Sequence, residues 1–258
     1  MIEPMIGLPE ISISAAGFAM PGVFNARHAI EAVASLGVRG IALDATAPGI
    51  RPRELTRSAR RDIASILRRL ELELSGLDLW IPPSQFVDPA NSERAFDATV
   101  QALEMVHELV PLVGGRSRAV VSVVLPDDLP DTVRSTLASI ASHHGSTLAD
   151  HAIMRDEAES FSGIGVGVDP VFYLTDGQSP AKAITRAGTE LVSARLCDTN
   201  AMGRCIVGGS GSKLDLTGYT GAMIVSGQEW VTLDLRGLDD PISASRMGIE
   251  AWRNAGTI

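Results

Sequence analysis

The sequence has few of the features that define several common classes of protein. Its 258 residues include two cysteines, 4% aromatic residues, and 22 basic against 31 acidic residues. The thiols of Cys197 and Cys205 are too few for a disulfide framework and match no zinc-binding spacing, so we expect reduced cysteines. No apolar run reaches the roughly 18 residues of a membrane-spanning helix. The formal net charge of −9 argues against a nucleic-acid partner, because phosphate binding requires clustered lysine and arginine.

The amino-terminal segment lacks a basic stretch followed by an apolar one, which is the pattern of a secretory signal. Together with the reduced thiols, this predicts a cytoplasmic protein that has no membrane partner. The one basic stretch, residues 51–69, also carries Glu54 and Asp62, which is typical of a solvated helix face. A chain of this length that is 45% hydrophobic can bury a large core, and we expect one domain over residues 1–258.

Short apolar runs alternate with amphipathic segments along the chain. This alternation predicts a (β/α)8 TIM barrel, a fold that typically has about 250 residues. The predicted strands are Ile11–Ala15, Val38–Leu43, Glu73–Leu79, Arg118–Leu125, Ser146–Ala149, Ile164–Val168, Leu191–Leu196 and Glu229–Leu235. Only residues 151–163 separate the fifth strand from the sixth, so we expect a shortened connection there. A doubly wound open sheet is the alternative, but residues 15–17 lack the repeated glycines of its phosphate loop.

Four of the predicted strands have an aspartate at or next to their last residue, namely Asp44, Asp150, Asp169 and Asp234. Enzymes with parallel sheets place their chemistry at the carboxyl ends of the strands. We therefore expect several of these carboxylates to meet at one end of the barrel. Such a group favours a metal site or a proton-transfer site, and it requires a positive charge to compensate the acids.

Five segments of the chain carry motifs that follow one another in a fixed order. They read HAIEAVASLGVRGIALD (28–44), GVGVDP (165–170), LVSARLCDTN (191–200), GGSGSKLDL (208–216) and EWVTLDL (229–235). In this order they resemble the sugar phosphate isomerase/epimerase family, whose members are xylose-isomerase-like TIM barrels. The resemblance covers nearly the whole chain and implies the same fold here.

The resemblance also implies a site. It implies a divalent metal (Mn, Mg or Zn) at positions that here are Asp150, Asp169, Arg195 and Asp234. It implies a small sugar or sugar phosphate as substrate, with a proton removed next to a carbonyl. Asp150 and Asp234 would then be the proton-transfer groups. Barrels of this family often pair, so a homodimer is implied as well.

Position 195 departs from the family, which has a histidine there. Arginine is a permanent cation without a lone pair to donate, so we expect a degenerate metal site. Three interpretations remain open at this stage. In the first interpretation, a salt-bridge cluster of Arg195 with the three aspartates has replaced the metal. Alternatively, Arg195 clamps a ligand phosphate or carboxylate, with Asp234 or Asp150 as base, or a rearranged metal site uses His151 and Asp198.

Four further residues are candidates for the site. His151 directly follows the fifth strand and is a candidate ligand or acid–base group. Trp80, at the exit of the third strand, is a candidate stacking surface for a sugar ring. Asp44 and the loop residue Lys213 lie on the same predicted face and are candidate substrate-binding residues.

Two functions therefore remain open. One is an isomerase or epimerase of a small sugar or sugar phosphate. The other is a catalytically inactive, metal-free barrel that binds a small ligand or a partner protein. The arginine at position 195 favours the second function or a metal-free mechanism.

Overall fold

A computed structural model of the chain describes residues 7–18, 26–154 and 163–257. Its centre is a closed barrel of eight parallel strands, which confirms the predicted (β/α)8 TIM barrel. The barrel strands are β1 (Glu10–Ser14), β2 (Gly40–Asp44), β3 (Glu73–Asp78), β4 (Val120–Val123), β5 (Thr147–Asp150), β6 (Ile164–Val168), β7 (Leu191–Leu196) and β10 (Trp230–Leu233).

The first and last barrel strands close the ring. On β1, Ile13 is in register with Ile41 of β2 on one side and with Leu233 of β10 on the other. All three side chains are at most 1% exposed. Buried parallel strands are expected to read as continuous apolar runs, and this is why the runs predicted the strands so well.

Eight α-helices are described. They are α1 (Ala26–Ser35), α2 (Arg57–Arg69), α3 (Ser92–Val113), α4 (Asp131–His143), α5 (Pro170–Thr175), α6 (Pro180–Ala187), α7 (Leu216–Ser226) and α8 (Pro241–Ala255). The amphipathic α2 begins after Thr56, whose hydroxyl accepts a hydrogen bond from the Ala59 amide. No helix in the described ranges has both the length and the apolar character needed to cross a membrane.

Two features of the loops bear on the site. β5 ends at Asp150 and β6 begins at Ile164, so the connection between them has the short length predicted. Between β7 and α7 the chain forms an antiparallel hairpin of β8 (Asp198–Asn200) and β9 (Gly203–Cys205), which the sequence did not predict. The hairpin lies at the carboxyl ends of the barrel strands, and we call this end the mouth of the barrel.

Candidate ligand site at the mouth of the barrel

The mouth holds two adjoining groups of polar side chains. The inner group consists of Asp78, Trp80, His151 and Arg195. The outer group consists of Asp169, Cys197, Arg204, Asp234 and Arg236. Every acid in both groups is buried, whereas the side chains of Arg204 and Arg236 keep 19% and 25% of their exposure. The outer arginines are therefore more accessible to solvent than the acids with which they pair.

Arg195 is the central cation of the inner group. It lies on β7, is 1% exposed, and forms an ion pair through Nη2 with Asp78 at the end of β3. Asp78 also accepts a hydrogen bond of 2.5 Å from the hydroxyl of Ser14. The guanidinium carbon of Arg195 lies 5.0 Å from the centroid of the Trp80 ring, within the range of a cation–π contact. Arg195 is thus held by β3 on one side of the barrel.

His151 lies beside this pair and is fully buried. Its backbone amide donates to Val123 of β4 at 2.8 Å, and its ring packs edge-on against Trp80 with centroids 6.0 Å apart. A Cβ atom on Gly167 of β6 would lie 2.5 Å from the imidazole, so the ring occupies space that a larger residue would fill. Burial, and then the charges of Arg195 and Arg236, hold the pKa of His151 well below its usual value. The imidazole is therefore neutral at pH 7.

The inner group contains most of the unsatisfied polar atoms in the described structure. Seven buried side-chain nitrogen or oxygen atoms have no hydrogen-bond partner within the described ranges, and five of them lie here. They are Nε and Nη1 of Arg195, both ring nitrogens of His151, and Nε1 of Trp80. Since buried polar groups are nearly always hydrogen-bonded, five unpartnered nitrogens on three neighbouring side chains indicate a place for a ligand or for ordered water.

The outer group is saturated by ion pairs. Arg204 of β9 contacts Asp169 at 2.6 Å and Asp234 at 3.1 Å, and Arg236 contacts Asp234 at 2.5 Å and Asp169 at 3.4 Å. Burial alone would raise the pKa of Asp234, but the charge and hydrogen bonds of Arg236, with the charge of Arg204, hold it well below its usual value. Arg236 also lies over Trp80, with its guanidinium carbon 3.5 Å from the ring centroid.

Three donor atoms of the outer group lie close enough together to hold a metal. They belong to Asp169, Cys197 and Asp234 and lie within 4.8 Å of one another. They do not fit the divalent metal that the resemblance implies. Both carboxylates already compensate the two outer arginines, and burial and the charge of Asp169 raise the pKa of the Cys197 thiol well above its usual value. A cation here would have to displace two guanidinium groups and deprotonate a buried thiol.

Asp150 lies apart from both groups. Its carboxylate accepts hydrogen bonds from the amides of Leu125 and Ala152, each at 3.0 Å, and forms an ion pair of 3.3 Å with Arg134 on α4. Burial raises its pKa above the usual value. The structure therefore brings Asp169 and Asp234 together, as expected, but pairs them with the outer arginines. The expected arrangement had Arg195 among three aspartates, whereas here Arg195 pairs with Asp78.

The remaining candidates occupy the rim. Asp44 is buried and is held by the amide and hydroxyl of Thr46 at 2.8 and 2.6 Å. Burial raises its pKa. Lys213 is exposed, and its backbone amide donates to Asp198 at 3.0 Å. Asp198 also accepts from Thr199 and Leu214 and thus fixes this turn.

The sequence reasoning did not identify the two outer arginines or the partner of Arg195. Arg236 follows the strand-exit Asp234 by two residues, and this spacing is a signal that was available. Arg204 had no such signal, because it reaches the mouth only through the β8–β9 hairpin. Asp78 was visible as a polar strand exit, but its pairing with Arg195 joins residues 117 positions apart.

Comparison with solved structures defines the class of fold. The chain is similar to D-psicose 3-epimerase from Clostridium cellulolyticum H10, with a TM-score of 0.70, 13% identity, and coverage of 95% of this chain and 98% of that one. It is also similar to a sugar phosphate isomerase/epimerase from Parabacteroides distasonis, with a TM-score of 0.66, 10% identity, and coverage of 94% and 96%. No family model and no curated protein matches the sequence.

The chain therefore has the fold of the xylose-isomerase-like barrels, as the resemblance predicted. The same fold carries other chemistry. A probable 3-DHS dehydratase from Bacillus anthracis matches with a TM-score of 0.68, 8% identity, and coverage of 96% of this chain and 100% of that one. Because one fold hosts several reactions, activity has to be argued from the residues of the mouth.

Proposed function

We propose that the mouth of this barrel binds a small sugar or sugar phosphate without a divalent metal. The observation that carries the proposal is the set of five unpartnered nitrogens on Arg195, His151 and Trp80. Sugar hydroxyl, carbonyl and phosphate oxygens are hydrogen-bond acceptors, so they complement these donors. The similarity to solved sugar epimerases and isomerases supports a ligand of this class.

The charges of the inner group support an oxygen-rich ligand. Arg195 uses Nη2 for Asp78, which leaves Nε and Nη1, on different edges of the guanidinium, to donate to two ligand oxygens. Neutral His151 offers one N–H donor and one acceptor nitrogen, a combination that matches a hydroxyl group. Trp80 adds a third N–H donor and an apolar ring. Hydroxyl groups bound by such donors in a buried site are recognised strongly, because their loss leaves the donors unpaired.

We expect the outer arginines to move when a ligand enters the mouth. Arg204 and Arg236 are the partly exposed members of the mouth, and each is a flexible side chain held by ion pairs. A ligand phosphate would compensate these arginines as Asp169 and Asp234 do now. We therefore expect sugar phosphates to bind more tightly than the corresponding free sugars.

The direct test is equilibrium binding, measured by isothermal titration calorimetry with matched pairs of pentoses, hexoses and their phosphates in buffer with EDTA. Arg195→Lys keeps the positive charge beside Asp78 but removes the fork of donors, so we expect at least a tenfold loss of affinity. Arg68→Gln, on the exposed face of α2, is the matched control and should bind as the wild type does. If neither a sugar nor a sugar phosphate binds the wild type at 10 mM, roughly the weak end of specific recognition, the proposal is wrong.

One observation favours catalysis as a second candidate function. His151 is buried, unpartnered and neutral, which suits a group that exchanges a proton with a bound ligand. In that case the imidazole would remove a proton from the carbon next to a ligand carbonyl and return it to the same or the neighbouring carbon. Arg195 would stabilise the negative charge that develops on the oxygen. Asp150 and Asp234, the proton-transfer groups proposed from the sequence, contribute less. Asp150 faces Arg134, and Asp234 is neutralised by two arginines.

Proton exchange with solvent separates catalysis from binding alone. The ligands that bind are incubated with the protein in D2O and EDTA, and deuterium incorporation at carbon is followed by NMR. Catalysis predicts incorporation by the wild type and its loss in His151→Gln, with ligand binding weakened less than the rate. Binding without any incorporation supports the inactive barrel.

A further inference from the structure

A cavity lies at the edge of the mouth and shares Trp80 with the inner group. Its volume is about 470 Å³, and it is bounded by the segment that follows β2, the segment that follows β3, and α3. This volume falls within the range of roughly 300–1,000 Å³ that is typical of small-molecule sites. We call it the lateral cavity. None of its charged residues belongs to the inner or the outer group.

The charged lining of the lateral cavity is mainly basic. It carries Arg51, Arg53 and Arg94 against a single aspartate, Asp97. Arg51 is fixed in place, since its Nε donates to the carbonyl of Thr46 at 2.8 Å. Arg94 donates only to the side-chain amide of its neighbour Asn91, at 3.1 Å. Arg53 has no hydrogen bond or ion pair within the described ranges. Arg51 is compensated by Glu54 at 3.2 Å, whereas Arg53 and Arg94 are exposed and have no acid in contact within the described ranges.

The uncharged lining is mixed. Trp80, Ile81, Pro82 and Pro52 supply apolar surface, and Thr46, Gln85 and Gln101 add polar groups. The indole of Trp80 carries the two cationic contacts on the mouth side and borders the cavity as well. A basic rim on an apolar floor complements a molecule that is flat or apolar in its body and negatively charged at one end.

From these features we infer that the lateral cavity is a binding site for a small organic anion, a phosphate or carboxylate carried on an apolar or aromatic body. Guanidinium groups recognise both kinds of oxyanion through parallel N–H donors. The body of the ligand would pack against Trp80 and Pro82, and its anionic end would lie between Arg53 and Arg94. This site shares Trp80 with the sugar site proposed for the mouth, but its charged residues are different, and the inference does not depend on that proposal.

Calorimetric titration with phenyl phosphate and benzoate tests the inference and distinguishes the two oxyanions. Phenol supplies the apolar body alone, and inorganic phosphate supplies the anion alone. We expect one of the two aromatic anions to bind with 1:1 stoichiometry and at least tenfold more tightly than phenol or inorganic phosphate. Quenching or enhancement of tryptophan fluorescence should accompany binding, because Trp80 borders the cavity whereas Trp230 and Trp252 are buried.

A double variant locates the site. Arg53→Gln/Arg94→Gln should weaken binding of the aromatic anion at least tenfold, whereas Arg61→Gln removes an exposed arginine of α2 and should leave it unchanged. Arg195→Lys should also leave it unchanged, which separates this site from the mouth. Three results would overturn the inference: no binding of either anion at 10 mM, equal binding by the double variant, or equal loss in Arg61→Gln.

Discussion

The two ends of the barrel carry similar residues in different states of pairing. At the amino ends of the strands, Glu73 contacts Arg39 at 3.2 Å and Arg116 at 3.1 Å, and Arg116 also binds Glu10 at 3.0 Å. Arg116 lies 4.8 Å from the ring centroid of Trp230, whose Nε1 donates to a backbone carbonyl at 3.5 Å. These groups have their partners within the protein.

At the mouth the same combination of arginine, tryptophan and carboxylate is incomplete. Arg195 lies over Trp80 and contacts one acid, but two of its nitrogens and the indole nitrogen have no partner in the described ranges. At the amino ends of the strands, which serve stability, the hydrogen-bond donors of these side chains have partners. At the carboxyl ends, where barrel enzymes bind their ligands, several donors have none. The contrast indicates that the unpaired donors of the mouth serve binding.

The largest difference should appear when the central arginine of each end is removed. Arg195→Ala leaves Asp78 buried and uncompensated, so we expect a loss of about 3–5 kcal/mol in the free energy of unfolding. Arg116 is 35% exposed, and Arg116→Ala should cost about 1 kcal/mol or less. Urea denaturation followed by circular dichroism measures both. Equal losses at the two ends would contradict the contrast.

The position of the His151 ring gives a smaller effect. Gly167→Ala places a methyl group 2.5 Å from the imidazole, which has to shift, and we expect a loss of about 1–3 kcal/mol together with weaker sugar binding. The control is Gly221→Ala in α7, where no atom lies within 4 Å of the added Cβ. That variant should stabilise the chain by up to about 1 kcal/mol, since alanine is the better helix former. If Gly167→Ala leaves the free energy of unfolding unchanged, the imidazole is not held against β6.

The stability of the protein at acid pH should report the neutral state of His151. The pKa of His151 is lowered in the folded state by burial and by Arg195 and Arg236, with Asp234 opposing them. As the pH falls below about 6.5, the unfolded state takes up a proton that the folded state does not, so stability decreases. The loss from this group grows as the pH falls further below 6.5, because the unfolded state binds the proton and the folded state does not. The difference in unfolding free energy between wild type and His151→Gln, measured by urea denaturation across this range, should shrink accordingly. A difference that does not change with pH would contradict a buried neutral imidazole.

Divalent metals should have the smallest effect. Because Asp169 and Asp234 are compensated by arginines, Mn²⁺ or EDTA should shift the unfolding temperature of the wild type by less than about 1 °C. Arg204→Gln/Arg236→Gln frees both carboxylates, and this variant should gain Mn²⁺ affinity in calorimetry. Stoichiometric tight metal in the purified wild type would show that the arginines do not occupy the site.

The barrel could be predicted from the sequence because its strands are short apolar runs buried on both faces, and two of them, β6 and β7, have the predicted bounds. The direction of each strand-exit side chain could not be predicted in the same way. Asp150 and His151 are adjacent, yet one turns toward α4 and the other into the barrel. A shift of one residue reverses the face of a strand, and the sequence alone did not place the last residue of β5.

The outer arginines were beyond prediction for a different reason. Arg204 owes its position to a hairpin of three residues per strand, which has no clear alternation of apolar and polar residues. The pairing of Arg195 with Asp78 depends on where two strands stand around a closed ring. Such contacts depend on the order of the strands around the barrel. Before that order is known, several acids are equally reasonable partners for Arg195.

The β8–β9 hairpin can move at the mouth without disturbing the strand pairing of the barrel. A two-stranded ribbon on its own is only marginally stable in water, and neither strand of this hairpin pairs with a barrel strand in the described residues. Its Arg204 side chain is what ties it to Asp169 and Asp234. Lifting it would carry Arg204 away from Asp169 while every barrel strand keeps its neighbours. Amides of residues 199–205 should therefore exchange with solvent long before those of β7. A ligand could then enter the mouth while the eight-stranded barrel stays intact.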